Sequence, residues 1–238
     1  MDEDVVCVAI TGGAGQIAYA LLPLIMQGRV FGEGRRVHLR LLDIDPCAGV
    51  LEGVAMEIRD CCCDLARFFR LVTEVVVTTD PKIAFQGADA VVLLGGFPRL
   101  PGMERRDLIA KNVPIMAEHG KEIAECASKS VRVLVVANPA CTNCLVASAC
   151  APSIPKSQFS SLSRLDHDRL SAMLAEEISA DLHDGVAAVT RADSNGRRQP
   201  SFAGKTTGFL EIRNVCLWGN HSPTMWPDVS MAEARIPG

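Results

Sequence analysis

Basic charge is in short supply. Lys and Arg total 24 against 28 Asp and Glu over 238 residues, a formal charge of -4. No net positive field exists to hold a phosphate backbone or an anionic lipid surface, which excludes nucleic acid and membrane as principal partners. Long apolar runs are missing too. The segment 5–28 carries no charge, but Gly12, Gly13, Gly15, Gln16 and Pro23 interrupt it, so it is expected as strand, turn and helix rather than a bilayer span. Repeats and low-complexity tracts are absent, and no secretory signal is expected at the N-terminus. The ten cysteines include Cys61, Cys62 and Cys63 in direct succession, a spacing that disulfide frameworks rarely use. Reduced thiols in a reducing compartment, the cytoplasm, are expected. What remains is ordinary globular usage, 48% apolar and 22% charged, in a chain long enough for one large or two small domains.

Short β-rich runs at 5–11, 37–43, 72–78, 90–94 and 131–137 alternate with helix candidates at 16–27, 49–63, 107–129 and 143–149. Near-continuous apolar strands separated by helices indicate a parallel sheet covered on both faces, and right-handed crossovers make it doubly wound, or Rossmann-like. After Pro152-Ser153-Ile154-Pro155 the pattern changes to a helix at 166–179, a polar stretch and a strand at 212–218. The expected division is a nucleotide-binding domain at 1–152 and an α+β domain at 153–238. Residues 190–207, rich in Ser, Gly and Arg, are expected as a solvated surface loop.

The first strand runs into Thr11-Gly12-Gly13-Ala14-Gly15-Gln16-Ile17-Ala18. This contains G-x-G-x-x-A between strand and helix, the context in which glycines let the backbone approach a pyrophosphate at a helix N-terminus. Asp43 ends the second strand, placed to accept both ribose hydroxyls of an adenosine and to repel a 2′-phosphate, which favours NAD over NADP. Its distance from Gly15 exceeds the usual spacing, and an enlarged turn at 28–34 absorbs the excess. Glycine turns of this kind also open enzymes that use Tyr-x-x-x-Lys, but the single tyrosine, Tyr19, has Pro23 four residues on.

After the fourth strand comes a loop with Arg99 and Arg105. Two guanidinium forks facing one cleft suit a substrate with carboxylates. Asn138 ends the fifth strand at the sheet edge where doubly wound folds bind ligands. Asp166 and Arg169 lie three apart on one helix, and His221 follows a strand; a histidine oriented by a carboxylate moves a proton near neutral pH. His38, His167 and His183 have no such setting and are expected to be structural. Cys141, Cys144 and Cys150 raise a metal or redox cluster, but without a second paired C-x-x-C they are expected as structural thiols, and no metal is expected.

Taken together, the stretches Thr11 to Tyr19, Leu41 to Leu65, Pro98 to Asn112, Ser130 to Cys144, Ala151 to Arg169 and Trp218 to Val229 resemble the malate dehydrogenases of the cytosolic type. The resemblance implies NAD as cofactor, malate and oxaloacetate as substrates, and a homodimer. It assigns the grip on two carboxylates to Arg99, Arg105 and Arg169, with Arg99 setting substrate choice against lactate enzymes. Asn138 becomes the substrate-side asparagine, His221 and Asp166 the proton relay, and Gly12 to Ile17, Asp43, Asn112 and His119 the cofactor contacts. His119 and Cys141 depart from the family, which has Gln and Asn at those places. The stretch between Asp166 and His221 is longer than the family's, with the excess near 184–207 expected as an inserted surface loop. Family members continue beyond the point matching Gly238, so a truncated chain is expected. An NAD-binding or interaction protein that lost catalysis is the alternative.

Overall fold

The computed structural model describes residues 5–63, 71–183, 210–219 and 224–235. The chain divides into two compact units, 1–162 and 163–238.

In the first unit β1 (Val5–Thr11), β2 (Arg36–Leu42), β3 (Val72–Thr78), β4 (Ala90–Leu93), β5 (Arg132–Val135) and β6 (Phe159–Ser161) form one sheet in the order β3-β2-β1-β4-β5-β6. Every pairing is parallel. This is the 3-2-1-4-5-6 order of the doubly wound dinucleotide fold. The strands are apolar because both faces are covered: Val8, Ala9, Ile10, Val37, Leu39, Leu41 and Val91 are fully buried. On one face α1 (Gln16–Met26) and α2 (Ala48–Cys63) pack Ala18, Leu22, Ile25, Leu51 and Ile58 against β1 and β2. On the other, α3 (Pro81–Phe85), α4 (Arg105–Cys126) and α5 (Ala140–Cys150) bury Phe85, Met116, Ile123 and Ala147.

Two elements of this unit differ from the sequence expectation. The five-residue α3 begins with Asp80, whose Oδ1 accepts the Lys82 N–H at 2.9 Å, and with Pro81 at its first position. The short, polar β6 exists because Val133 to Val135 pair with it. This pairing carries the first unit to residue 162 rather than 152, with Gln158 Nε2 donating to the Val131 carbonyl at 2.6 Å.

The second unit holds α6 (Leu165–His183) and two antiparallel pairs, β7 (Glu211–Arg213) with β10 (Glu233–Arg235) and β8 (Cys216–Trp218) with β9 (Trp226–Asp228). The single strand expected at 212–218 is two strands, because Asn214 takes a left-handed conformation at φ 57° and turns the chain between them. The expected insertion at 184–207 and His183's side chain lie outside the described residues.

Candidate functional site

The strands of a parallel sheet bring their carboxyl ends to one edge. β1 delivers the glycine turn, β2 Asp43, β4 the loop with Arg99, and β5 Asn138.

Gly12 has φ +67°, and a Cβ there would lie 2.8 Å from Gly95 N and Cα. Only glycine fits. The same crossing is tied by the Gly95 N–H, which donates to Thr11 Oγ1 at 3.0 Å. Gly13 is packed against Leu51 and Leu41, where a Cβ would sit 2.8 Å from Leu51 Cδ1. These glycines let α1 start close against the sheet. Gly15 is the N-cap of α1, and no side chain caps that end; Gln16 and Ile17 are exposed. The first amides of an uncapped eleven-residue helix therefore face outward beside a glycine cradle, which suits a pyrophosphate.

Asp43 has a second job that its spacing in the sequence did not reveal. Its Oδ2 accepts the Ala14 N–H at 2.9 Å and its Oδ1 accepts the Ile44 N–H at 2.8 Å. The carboxylate thus pins the glycine turn to the end of β2. Each oxygen keeps a lone pair for a ribose hydroxyl. The donor set of the turn and this carboxylate fit an adenine dinucleotide.

Residues 94–104 form the loop between β4 and α4. Arg99 and Arg105 are both exposed. Arg99 Nη2 donates to the Met103 carbonyl at 3.4 Å, and Arg105 has no acidic partner among the described residues. Neighbouring Arg106 is committed to Glu104 at 2.9 Å. Asn112 holds the loop in place. It is fully buried, its Oδ1 accepts the Phe97 N–H at 2.9 Å, and its Nδ2 donates to the Phe97 and Leu108 carbonyls at 3.2 and 3.0 Å. The amide expected as a cofactor contact is occupied with bracing the backbone two residues before Arg99. Lys111 adds a cation–π contact, its Nζ 5.7 Å from the Phe97 ring centroid.

His119 stands apart from the site. It lies two turns further along α4 than Asn112, is 9% exposed, and meets Phe85 edge-on with ring centroids 5.6 Å apart. Its Nδ1 is buried without a partner, and burial pulls the imidazole down to a pKa of about 4. In the first unit His119 is a buried residue packed edge-on to Phe85.

Asn138 is exposed at the end of β5, before a cis peptide to Pro139. Behind it, fully buried Asn143 donates from Nδ2 to the Ala137 carbonyl at 2.8 Å. Thr11 and Asn143 are thus supports that the sequence analysis missed; their only signal was a polar residue at a strand end and another in the first turn of a helix.

In the second unit Asp166 and Arg169 share one face of α6. Arg169 Nη1 donates to Asp166 Oδ1 at 3.4 Å, with the Asp166 side chain 18% exposed. His221 lies outside the described residues. Of the histidines expected to be structural, His38 pairs with Glu74 across β2 and β3 at 3.2 Å, and His167 faces Asp168 at 3.4 Å. Among the described residues no group of three or more His, Cys, Asp or Glu is placed to hold a metal, and no helix is long and apolar enough to cross a membrane.

A 3-2-1-4-5-6 sheet with a glycine cradle and a strand-end carboxylate defines a dinucleotide-binding domain. Residues 6–160 match the family model for the lactate/malate dehydrogenase NAD binding domain. The chain belongs to the lactate/malate dehydrogenase family. It is 42% identical to the cytoplasmic malate dehydrogenase of Homo sapiens and 43% to that of Bos taurus, each over 231 residues. These matches cover 97% of this chain and 59% of each relative, so the chain spans about three fifths of their length. The crystal structure of the malate dehydrogenase of Naegleria fowleri matches with a TM-score of 0.75 and 36% identity, over 96% of this chain and 59% of that one. The lactate dehydrogenase of Trichomonas vaginalis in complex with NADH and oxamate matches with a TM-score of 0.74 and 33% identity, over 97% and 61%.

Proposed function

We propose that this chain interconverts (S)-malate and oxaloacetate with NAD. The observation that carries the reading is the braced loop of β4: Asn112 fixes Phe97, and Arg99 and Arg105 stand exposed beyond it at the same sheet edge as the glycine cradle and Asp43. Relatives that are 42–43% identical are named malate dehydrogenases.

Under this reading the cradle from Gly12 to Ile17 holds the pyrophosphate, with Gln16 and Ile17 offering the outward helix amides, and Asp43 holds the ribose. NAD, when bound, supplies the hydride acceptor. Arg99 and Arg105, with Arg169, hold the two substrate carboxylates as bidentate forks. Asn138 donates to the substrate oxygen. His221 takes the malate hydroxyl proton, and Asp166 orients the imidazole and stabilises its charged form. Two copies pair through α1 and α2, where Ile17, Tyr19, Val50 and Met56 are exposed. The cytoplasm is the proposed compartment, as in the relatives' names.

The alternative is an NAD-binding or interaction protein without turnover. Both readings expect NADH to bind, and only the first expects oxaloacetate to be reduced. In an active preparation, Arg99→Gln should shift preference toward monocarboxylate 2-oxo acids such as pyruvate, since the distal carboxylate loses its bidentate partner. An unchanged ratio of kcat/KM for the two substrates removes Arg99 from substrate choice.

A further inference from the structure

The pair Cys141 and Cys144 is not used by the chemistry above. Cys141 is in the first turn of α5, exposed, and Cys144 is one turn on, half-buried against the core. Residues three apart on a helix share a face. The two thiols also sense each other's charge: burial raises the Cys144 pKa, and Cys141 raises it further. Ser161 Oγ lies 3.5 Å from Cys141 Sγ, within reach as a donor to a thiolate.

We propose that Cys141 and Cys144 form a dithiol that reacts with low-molecular-weight disulfides of the glutathione type and closes to an intrahelical disulfide, disturbing the turn that presents Asn138. The exposed Cys141 sulfur, as thiolate, attacks one sulfur of the soluble disulfide. That S–S bond breaks, one small thiolate leaves, and a mixed disulfide stands on Cys141. Cys144 then gives up its proton and attacks the Cys141 sulfur, expelling the second small thiolate. Two electrons pass from the dithiol to the soluble disulfide, and the two protons end on the small thiols.

Closure moves the backbone. Cβ atoms at this helical spacing are about 5–6 Å apart, whereas a disulfide needs roughly 3.5–4.5 Å. The rest of α5 cannot give, because Ala147 is fully buried and Gly120 of α4 packs directly on its carbonyl. The shift therefore falls on the first turn. There the Asn143 N–H donates to the Pro139 carbonyl at 2.9 Å, and Asn143 Nδ2 to Ala137 at 2.8 Å. Both bonds bracket Asn138. That this disturbance matters for substrate rests on the function proposed above; the thiol chemistry itself does not.

The reduced full chain is treated with glutathione disulfide, alkylated, digested and analysed by mass. The tryptic peptide from Val133 to Lys156 also holds Cys150, so it should carry a single alkyl group, on Cys150, with Cys141 and Cys144 unalkylated and together lighter by two hydrogens. Cys144→Ser should trap glutathione on Cys141, and Cys141→Ser should leave Cys144 free to be alkylated. Hydrogen exchange of the amides from Asn138 to Cys144 should quicken in the oxidised chain. Alkylation of both thiols after treatment, or modification confined to Cys47 or Cys216, overturns the proposal. Linkage with unchanged exchange at Asn138 overturns its effect on the turn. None of these readouts needs turnover, so a chain that fails to reduce oxaloacetate still tests them.

Discussion

His119 makes the first unit sensitive to acid in a way that can be calculated. In the unfolded chain the imidazole titrates near 6.5, and in the fold burial against Phe85 lowers it to about 4. Between these values the unfolded chain binds a proton that the folded chain refuses, so stability rises with pH across this window and falls as the solution is acidified through it. The full gap corresponds to about 3 kcal/mol at 1.36 kcal/mol per pH unit. Most of that is spent by pH 5, where the same arithmetic gives a loss of about 2 kcal/mol relative to pH 7. Other groups titrate over this range, so the quantity to measure is the difference between the parent and His119→Gln. Urea unfolding of both at pH 7, 6 and 5, followed by far-ultraviolet circular dichroism, should show the variant gaining on the parent by about 2 kcal/mol between the two ends. Gln carries no titrating proton, so a constant offset at all three pH values refutes the reasoning. In that case the ring is reached by water and binds protons alike in the folded and unfolded chain.

Asn112→Ala removes the acceptor of the half-buried Phe97 N–H and the donor to two carbonyls. A destabilisation of about 2 kcal/mol in urea is expected, together with faster tryptic cutting at Arg99, Arg105 and Arg106; cutting at the parental rate would show that the amide does not hold the loop. Asp43→Ala takes away both the proposed ribose acceptor and the pin on the glycine turn. It should weaken NADH binding by about 1.5–3 kcal/mol in a calorimetric titration, and unchanged affinity would remove Asp43 from the cofactor site.

The sheet was legible because its strands are short Val-, Ile- and Leu-rich runs separated by helix-length segments, a pattern that burial on both faces imposes. β1 was expected at the bounds it has, 5–11. Elements that depend on partners were not. Phe159-Ser160-Ser161 has no strand pattern of its own and is a strand because β5 offers it an edge. The signal for α3 was local but small: an Asp N-cap followed by Pro opens a helix of five residues, too short to show a period. At α5 the helix begins at Ala140 rather than 143, since Pro139 serves as its N-cap.

Site residues divide along the same line. Gly12, Asp43 and Asn138 owe their places to strand ends, and position in the sequence was enough to put them at one edge of the sheet. Asn112 and His119 sit on one helix, seven residues apart, and both were expected at the cofactor. What separates them is contact with distant chain: Asn112 turns to Phe97, His119 to Phe85. A helix period shows which residues face inward but not what they face. Asn112 meets backbone groups that its amide can satisfy, so it becomes a brace for the loop after β4. His119 meets an aromatic ring that leaves Nδ1 unpaired, so it becomes a neutral core residue whose cost appears only when protons are plentiful.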